Sequence, residues 1–160
     1  MFDKLAIAAT IGVGIAIGVA WPMPNKTTQT GAGAKTTDVL IERSADHHYY
    51  ADGTVNGHPV HFLIDTGAAE TALTEADAKA VGIAVDPTKF DVIGDGASGM
   101  VRGEYVQLKS LELQGIRQKS PQAVVVAGSS VSLLGQPFLE AVDEIVIRRG
   151  EMTLSSHSGA

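Results

Sequence analysis

A two-residue turn constrains the fold of this chain more tightly than any other feature. Asn56-Gly57 stands between two strand-like runs, His47 to Val55 and His58 to Ile64, and both of its positions tolerate the positive φ that a tight antiparallel hairpin demands. In the second run Val60, Phe62 and Ile64 fall on one face, so Asp65 leaves the strand end on the other. The same pattern of short apolar runs and turn signals continues through Phe90 to Ile93, Val101 to Leu108, Leu111 to Leu113 and Ala123 to Ala127. A closing pair, Glu144 to Arg148 and Met152 to Leu154, is joined by Arg149-Gly150. Two short helices interrupt the series. Thr74 caps Glu75 to Val81, with Asp77 near the capping-box position and Gly82 as the stop, and Gln136-Pro137 opens Phe138 to Val142. The expected domain is all-β, a small barrel or sandwich with one or two short helices.

The apolar content is not spread evenly. Leu5 to Trp21 carries no charge, which is the short end of what spans a bilayer core. Gly12, Gly14 and Gly18 disfavour a buried soluble helix, and Trp21-Pro22 suits an interfacial anchor better than a cleavage site. The spacing of these glycines also suits helix pairing within a membrane. Pro22 to Thr37 is polar and rich in Gly and Thr, a flexible tether. The expected organisation is an anchor or signal over 1–21, a linker over 22–38 and one folded domain over 39–160, held outside the cytoplasm on the periplasmic side. A net charge of −6 without a basic stripe argues against nucleic acid as a partner. The absence of cysteine excludes disulfides and thiolate metal sites.

The chemistry centres on Asp65-Thr66-Gly67. The triplet follows the apolar strand Val60 to Ile64 and precedes Ala68-Ala69, a Thr-containing turn and a short helix. A second element, Val131-Ser132-Leu133-Leu134-Gly135, ends in glycine and passes directly into Gln136-Pro137-Phe138-Leu139. Together FLIDTGAAETALT, IGDGASGM and SLLGQPFLEAVDEIVI resemble the retropepsin-like aspartic peptidases, in their bacterial single-domain type with an N-terminal membrane segment. The resemblance runs from about Tyr49 to Leu154. It implies a single-lobe acid-protease barrel after a transmembrane segment, with Asp65 catalytic and Thr66, Gly67 and Ala68 supporting it. It also implies that Leu133, Leu134 and Gly135 form the strand beside the site, and that a flap contains Ile93, Gly94, Asp95, Gly96, Ala97, Ser98, Gly99 and Met100.

Peptide hydrolysis by carboxyl groups needs one ionised oxygen to take a proton from water and one protonated group to donate to the substrate carbonyl. Two carboxyls within hydrogen-bond distance supply both, and aspartic proteases are the standard case. The chain holds no second Asp-Thr-Gly or Asp-Ser-Gly and has room for one lobe after the tether. The second carboxylate must then come from another copy, in a two-fold homodimer acting on a polypeptide substrate without a cofactor. Gly67 lets the backbone approach the carboxylate, and the resemblance implies that Thr66 locks the turn across the subunit interface.

The chain departs from retroviral members at Ala69, where they carry an acidic residue; Glu70 follows it. That departure motivates the alternative of a catalytically inactive peptide-binding or assembly module. An aspartyl-phosphate enzyme fits less well, because the Lys between Asp and Thr and any phosphate-cradling loop are missing. His47-His48 and His58-x-x-His61 do not make a metal site, since residues one or three apart on a strand face opposite sides.

Overall fold

The computed structural model of the chain describes residues 35–96 and 99–158. The expected anchor, residues 22–34 of the linker, and Ala97 and Ser98 of the flap lie outside these residues. The described part is predominantly β. Its strands are β1 Lys35–Glu42, β2 Tyr50–Val55, β3 His58–Ile64, β4 Ala72–Thr74, β5 Asp91–Gly96 and β6 Gly99–Gln107. They continue as β7 Ser110–Leu113, β8 Ile116–Lys119, β9 Gln122–Val126, β10 Ser132–Leu134, β11 Glu144–Arg148 and β12 Glu151–Ser158. Two helices, α1 Glu75–Ala80 and α2 Gln136–Leu139, and a short 3-10 turn at Pro87–Lys89 complete the list.

The Asn56-Gly57 turn forms as its residues require, with φ of 54° and 84°, and pairs β2 with β3 from Val55↔His58 to Tyr50↔Leu63. The strand begins at Tyr50 rather than His47, because His47 takes φ 71° inside a separate turn that ties Ser44 to His48. On β3 the alternation holds, Val60, Phe62 and Ile64 being buried.

Nine strands form one sheet in the order β5-β6-β9-β4-β10-β3-β2-β7-β8, and β1-β12-β11 form a second. A single apolar core includes Phe62, Leu73, Leu111, Leu134 and Phe138 from the first sheet and α2, with Val39, Ile41, Met152 and Leu154 from the second. Burying side chains of this size stabilises by about 1.5–3 kcal/mol each.

Four expectations change, the first being that β4, Ala72–Thr74, forms where a Thr-containing turn was expected before the helix. β1 starts at Lys35, so residues 35–38, read as linker, are strand: they pair with Ser158 to Ser155 of β12. Strand β8 was not expected; Gln114-Gly115, with φ of 45° and 99°, makes a second tight hairpin turn, and Gln lacks the short side chain that flags such turns. Helix α2 is shorter than read, ending at Leu139.

Thr74 caps α1 as its sequence predicts, its side chain accepting from Asp77 N–H, and the Asp77 carboxylate accepts from the Thr74 hydroxyl at 2.9 Å. The same carboxylate oxygen accepts from Ser132 Oγ at 2.6 Å, and Ser132 Oγ accepts from Thr74 N–H. A polar triad, buried at Thr74 and Ser132 and half-buried at Asp77, thus joins the start of β10 to the end of β4.

Candidate active site

Strand β10 is the element that builds the site. It lies parallel to β3, with Leu133↔Leu63 and Leu134↔Ile64, and antiparallel to β4. Two segments far apart in sequence therefore end side by side, one in Asp65 and the other in Gly135.

Their ends are tied by main-chain bonds. Asp65 N–H donates to Leu134 O at 3.1 Å, and Gln136 N–H donates to Ala68 O at 2.9 Å. Gln136 Nε2 donates to Thr66 O at 2.6 Å. Within the turn, Gly67 N–H donates to Asp65 Oδ1 at 2.8 Å and Ala68 N–H to Asp65 O at 3.2 Å. The Gly67 amide is a charge-assisted donor that fixes the carboxylate's rotamer, and such bonds are roughly twice as strong as neutral ones. Gly135 permits this packing: a Cβ there would lie 2.2 Å from Glu70 O and 2.8 Å from Ala68 O.

Asp65 opens onto a cleft of about 570 Å³. Its floor is Asp65, Gly67 to Glu70, Ala72 and Leu133, and its far wall is Ile93 to Gly96 with Val101, Tyr105, Val124 and Val126. Apart from Val124 and Val126 of β9, the wall is the β5–β6 hairpin, which crosses from Asp91↔Gly103 to Gly96↔Gly99 with an irregularity between Val92 and Gly94. Gly103 lets it sit close to β9, since a Cβ there would lie 2.4 Å from Val125 O.

Of the residues expected at the site, Asp65, Gly67, Ala68, Leu133, Ile93, Gly94, Asp95 and Gly96 line this cleft together. Leu134 does not; it is fully buried, and only its carbonyl reaches Asp65. Gly99 and Met100 do not line the cleft either; they line an adjoining depression that shares Gly96, Val101 and Val126 with it, and Met100 is 74% exposed. Thr66 is exposed and meets the rest of the site through its carbonyl. Gln136 was not singled out as a site residue; its side chain acts on a carbonyl 70 positions away in sequence. Tyr105, Val124 and Val126 were missed because strand alternation does not say which strands become neighbours. Among the described residues, no group of three or more His, Asp or Glu is arranged to hold a metal ion. His61 instead meets Asp52 at 2.6 Å and stacks on Tyr50.

A family model described as "Aspartyl protease" matches residues 51–138. An uncharacterized protein in the cobV 5′ region of Sinorhizobium sp is 28% identical over 134 residues, 82% of this chain and 58% of that protein. Uncharacterized protein RP867 of Rickettsia prowazekii is 33% identical over 104 residues, 64% of this chain and 45% of that protein. The chain thus spans about half the length of these relatives. Among solved structures, a retropepsin-like aspartic protease from Rickettsia conorii superposes with a TM-score of 0.66 at 26% identity, over 79% of this chain and 97% of that one. The fold is retropepsin-like.

Proposed function

The chain belongs to the aspartyl protease family, and on that premise we propose that it is an aspartic endopeptidase whose working unit is a homodimer. The observation that carries the reading is the position of Asp65: a carboxylate held by the Gly67 amide at the floor of a cleft roofed by a hairpin. Asp65 supplies one carboxyl group, and Asp65 of the partner subunit supplies the other. One takes a proton from the attacking water while the other donates to the scissile carbonyl.

Substrate enters as an extended strand between the β5–β6 hairpin and the floor, its backbone pairing with theirs and its side chains alternating into apolar positions such as Ile93, Val101 and Leu133. Gly94 and Gly96 give the hairpin the backbone freedom that a closing lid uses. The membrane segment expected over 1–21 holds the domain on the periplasmic side and raises its local concentration, which favours the dimer.

Asp65→Asn in the full-length chain tests the reading. The variant keeps the carboxylate's shape, so circular dichroism and melting temperature should match the wild type. Cleavage of an unfolded protein or a peptide library at mildly acidic pH should disappear. An Asp65→Asn chain as active as the wild type would remove Asp65 from the chemistry; peptide binding that survives, with no turnover by the wild type either, would favour a binding module.

A further inference from the structure

We propose that the cleft selects polypeptides by a basic residue: a lysine or arginine side chain of the substrate enters a side pocket beyond Glu70, with the Glu70 carboxylate as its counter-ion. This rests on the peptidase reading for the bound chain and on the pocket itself for the charge that chain carries.

The cleft does not end at Glu70. A second cavity, of about 410 Å³, adjoins it there, and Glu70 is the one residue that lines both. Its place follows from the fold. Ala68 to Glu70 carry the floor from Asp65 towards β4, and Val124 N–H donates to Thr71 O at 2.9 Å, which sets the start of β9 beside the end of the floor. Gln118 of β8 is tied to the first turn of α2, its Nε2 donating to Pro137 O at 2.7 Å. An extended substrate on the floor sends alternate side chains to one side, so a side chain that passes Glu70 meets this opening.

The lining suits a long stem that ends in N–H donors. Pro121 and Pro137 offer apolar surface to the methylene groups of lysine or arginine. Two acceptors wait for a donor. The Glu70 carboxylate makes no ion pair among the described residues. Gln118 Oε1 is buried and accepts no hydrogen bond among them, and a buried acceptor of this kind is costly until a donor reaches it. Gln118 is half-buried and lines the pocket, so a small turn of its side chain offers that oxygen to an entering N–H.

The charge of the cleft points the same way. Its charged lining residues are Asp65, Glu70 and Asp95, all acidic, and none is Lys, Arg or His. A groove lined by one sign of charge repels an acidic chain and draws a basic one. Lys119 is the one cation at the side pocket. It is exposed, where solvent and salt screen it, and strand alternation sets it on the opposite face of β8 from Gln118. In a two-fold dimer the pocket occurs twice, so the basic residue is read at matching distances on either side of the cut.

Two experiments on the full-length chain in detergent test the pocket. In the first, a synthetic library of random-sequence peptides is digested and the cut sites are mapped by mass spectrometry. The wild type should cut sites with Lys or Arg at one fixed distance from the bond on the order of ten-fold faster than sites with Gln there. Glu70→Gln should lose that ratio, and Glu70→Lys should reverse it in favour of Asp and Glu. A reversal cannot come from misfolding, which only removes activity. Glu151→Lys changes the net charge equally but lines neither cavity, and it should keep the wild-type ratio. Lys119→Gln should raise the ratio; a fall would overturn the assignment and give the contact to Lys119 and an acidic residue.

The second experiment needs no turnover. Immobilised Asp65→Asn chain should retain Lys- and Arg-containing peptides from the same library, and the chain carrying both Asp65→Asn and Glu70→Lys should retain acidic ones. Retention that reverses in this way while the wild type cuts nothing would sink the peptidase reading and keep the pocket. Cutting with one profile in wild type, Glu70→Gln and Glu70→Lys, or a Glu151→Lys profile shifted as far as that of Glu70→Lys, would overturn the pocket and leave the peptidase reading in place.

Discussion

Gly135 is a position at which the site has no space for a side chain. The Cβ of an alanine would press on main-chain atoms of Glu70 and Ala68 rather than on a side chain that could swing away. Gly135→Ala should therefore cost about 1–3 kcal/mol in urea unfolding and reduce turnover by displacing the Asp65 turn; a wild-type midpoint with full activity would contradict the packing argument. Asp46 offers a test by pH. Its carboxylate accepts from His48 N–H and from Tyr50 Oη, and these bonds hold it below the ordinary value of 3.8, at about 2. A carboxylate with a depressed folded-state pKa contributes stability that is full above its unfolded value and fades as pH falls through the folded one. The melting temperature of Asp46→Asn should thus fall less steeply than that of the wild type between pH 4 and pH 2, and parallel curves would show that the turn contributes nothing. The place of Asp65 and Gly67 at a strand end could be read from the sequence, because the triplet follows the apolar run Val60 to Ile64; their role rests on the matched segments around them, since Asp-Thr-Gly alone is a frequent turn. The role of Gln136 could not be read, because it depends on a carbonyl that lies 70 positions away in sequence.

At the scale of elements, the junction of β4, α1 and β10 sets the stability of the site's floor. The Asp77 carboxylate accepts from two hydroxyls, those of Thr74 and Ser132, and the Ser132 side chain is the acceptor for Thr74 N–H. Asp77→Ala leaves both hydroxyls without this acceptor in a partly buried place, which should cost about 2 kcal/mol. Asp77→Asn, which keeps an oxygen there, should recover part of the loss. Equal stability of the alanine variant and the wild type, by chemical denaturation, would show that the triad is incidental. The helix start at Thr74 and the β2–β3 hairpin could be read in advance, since each is written in residues adjacent in sequence. Strands β1 and β8 could not. The first opens on a polar run, Lys-Thr-Thr-Asp, that becomes strand by pairing with β12, and the second follows a turn at Gln114-Gly115 that carries only one of the usual two markers. The β5–β6 hairpin was anticipated as a glycine-rich flap, but the glycines through Gly96 belong to strand β5 rather than to a loop.

At the scale of the whole molecule, the arrangement depends on long-range pairing. Strand β10 inserts between β3 and β4, and β9 lies parallel to β4. No local pattern announces either contact, so the class of fold followed from the strands, whereas their order is seen only in the structure. The consequence for function is that one chain carries half of the proposed carboxyl pair. The most direct measurement mixes wild-type and Asp65→Asn chains, lets subunits exchange, and follows hydrolysis at fixed wild-type concentration. If each working site needs Asp65 from two copies, an equal amount of the inert variant should lower the rate to about half, and a large excess should nearly abolish it, because wild-type chains become trapped in mixed dimers. A rate indifferent to added Asp65→Asn chain would contradict the shared site.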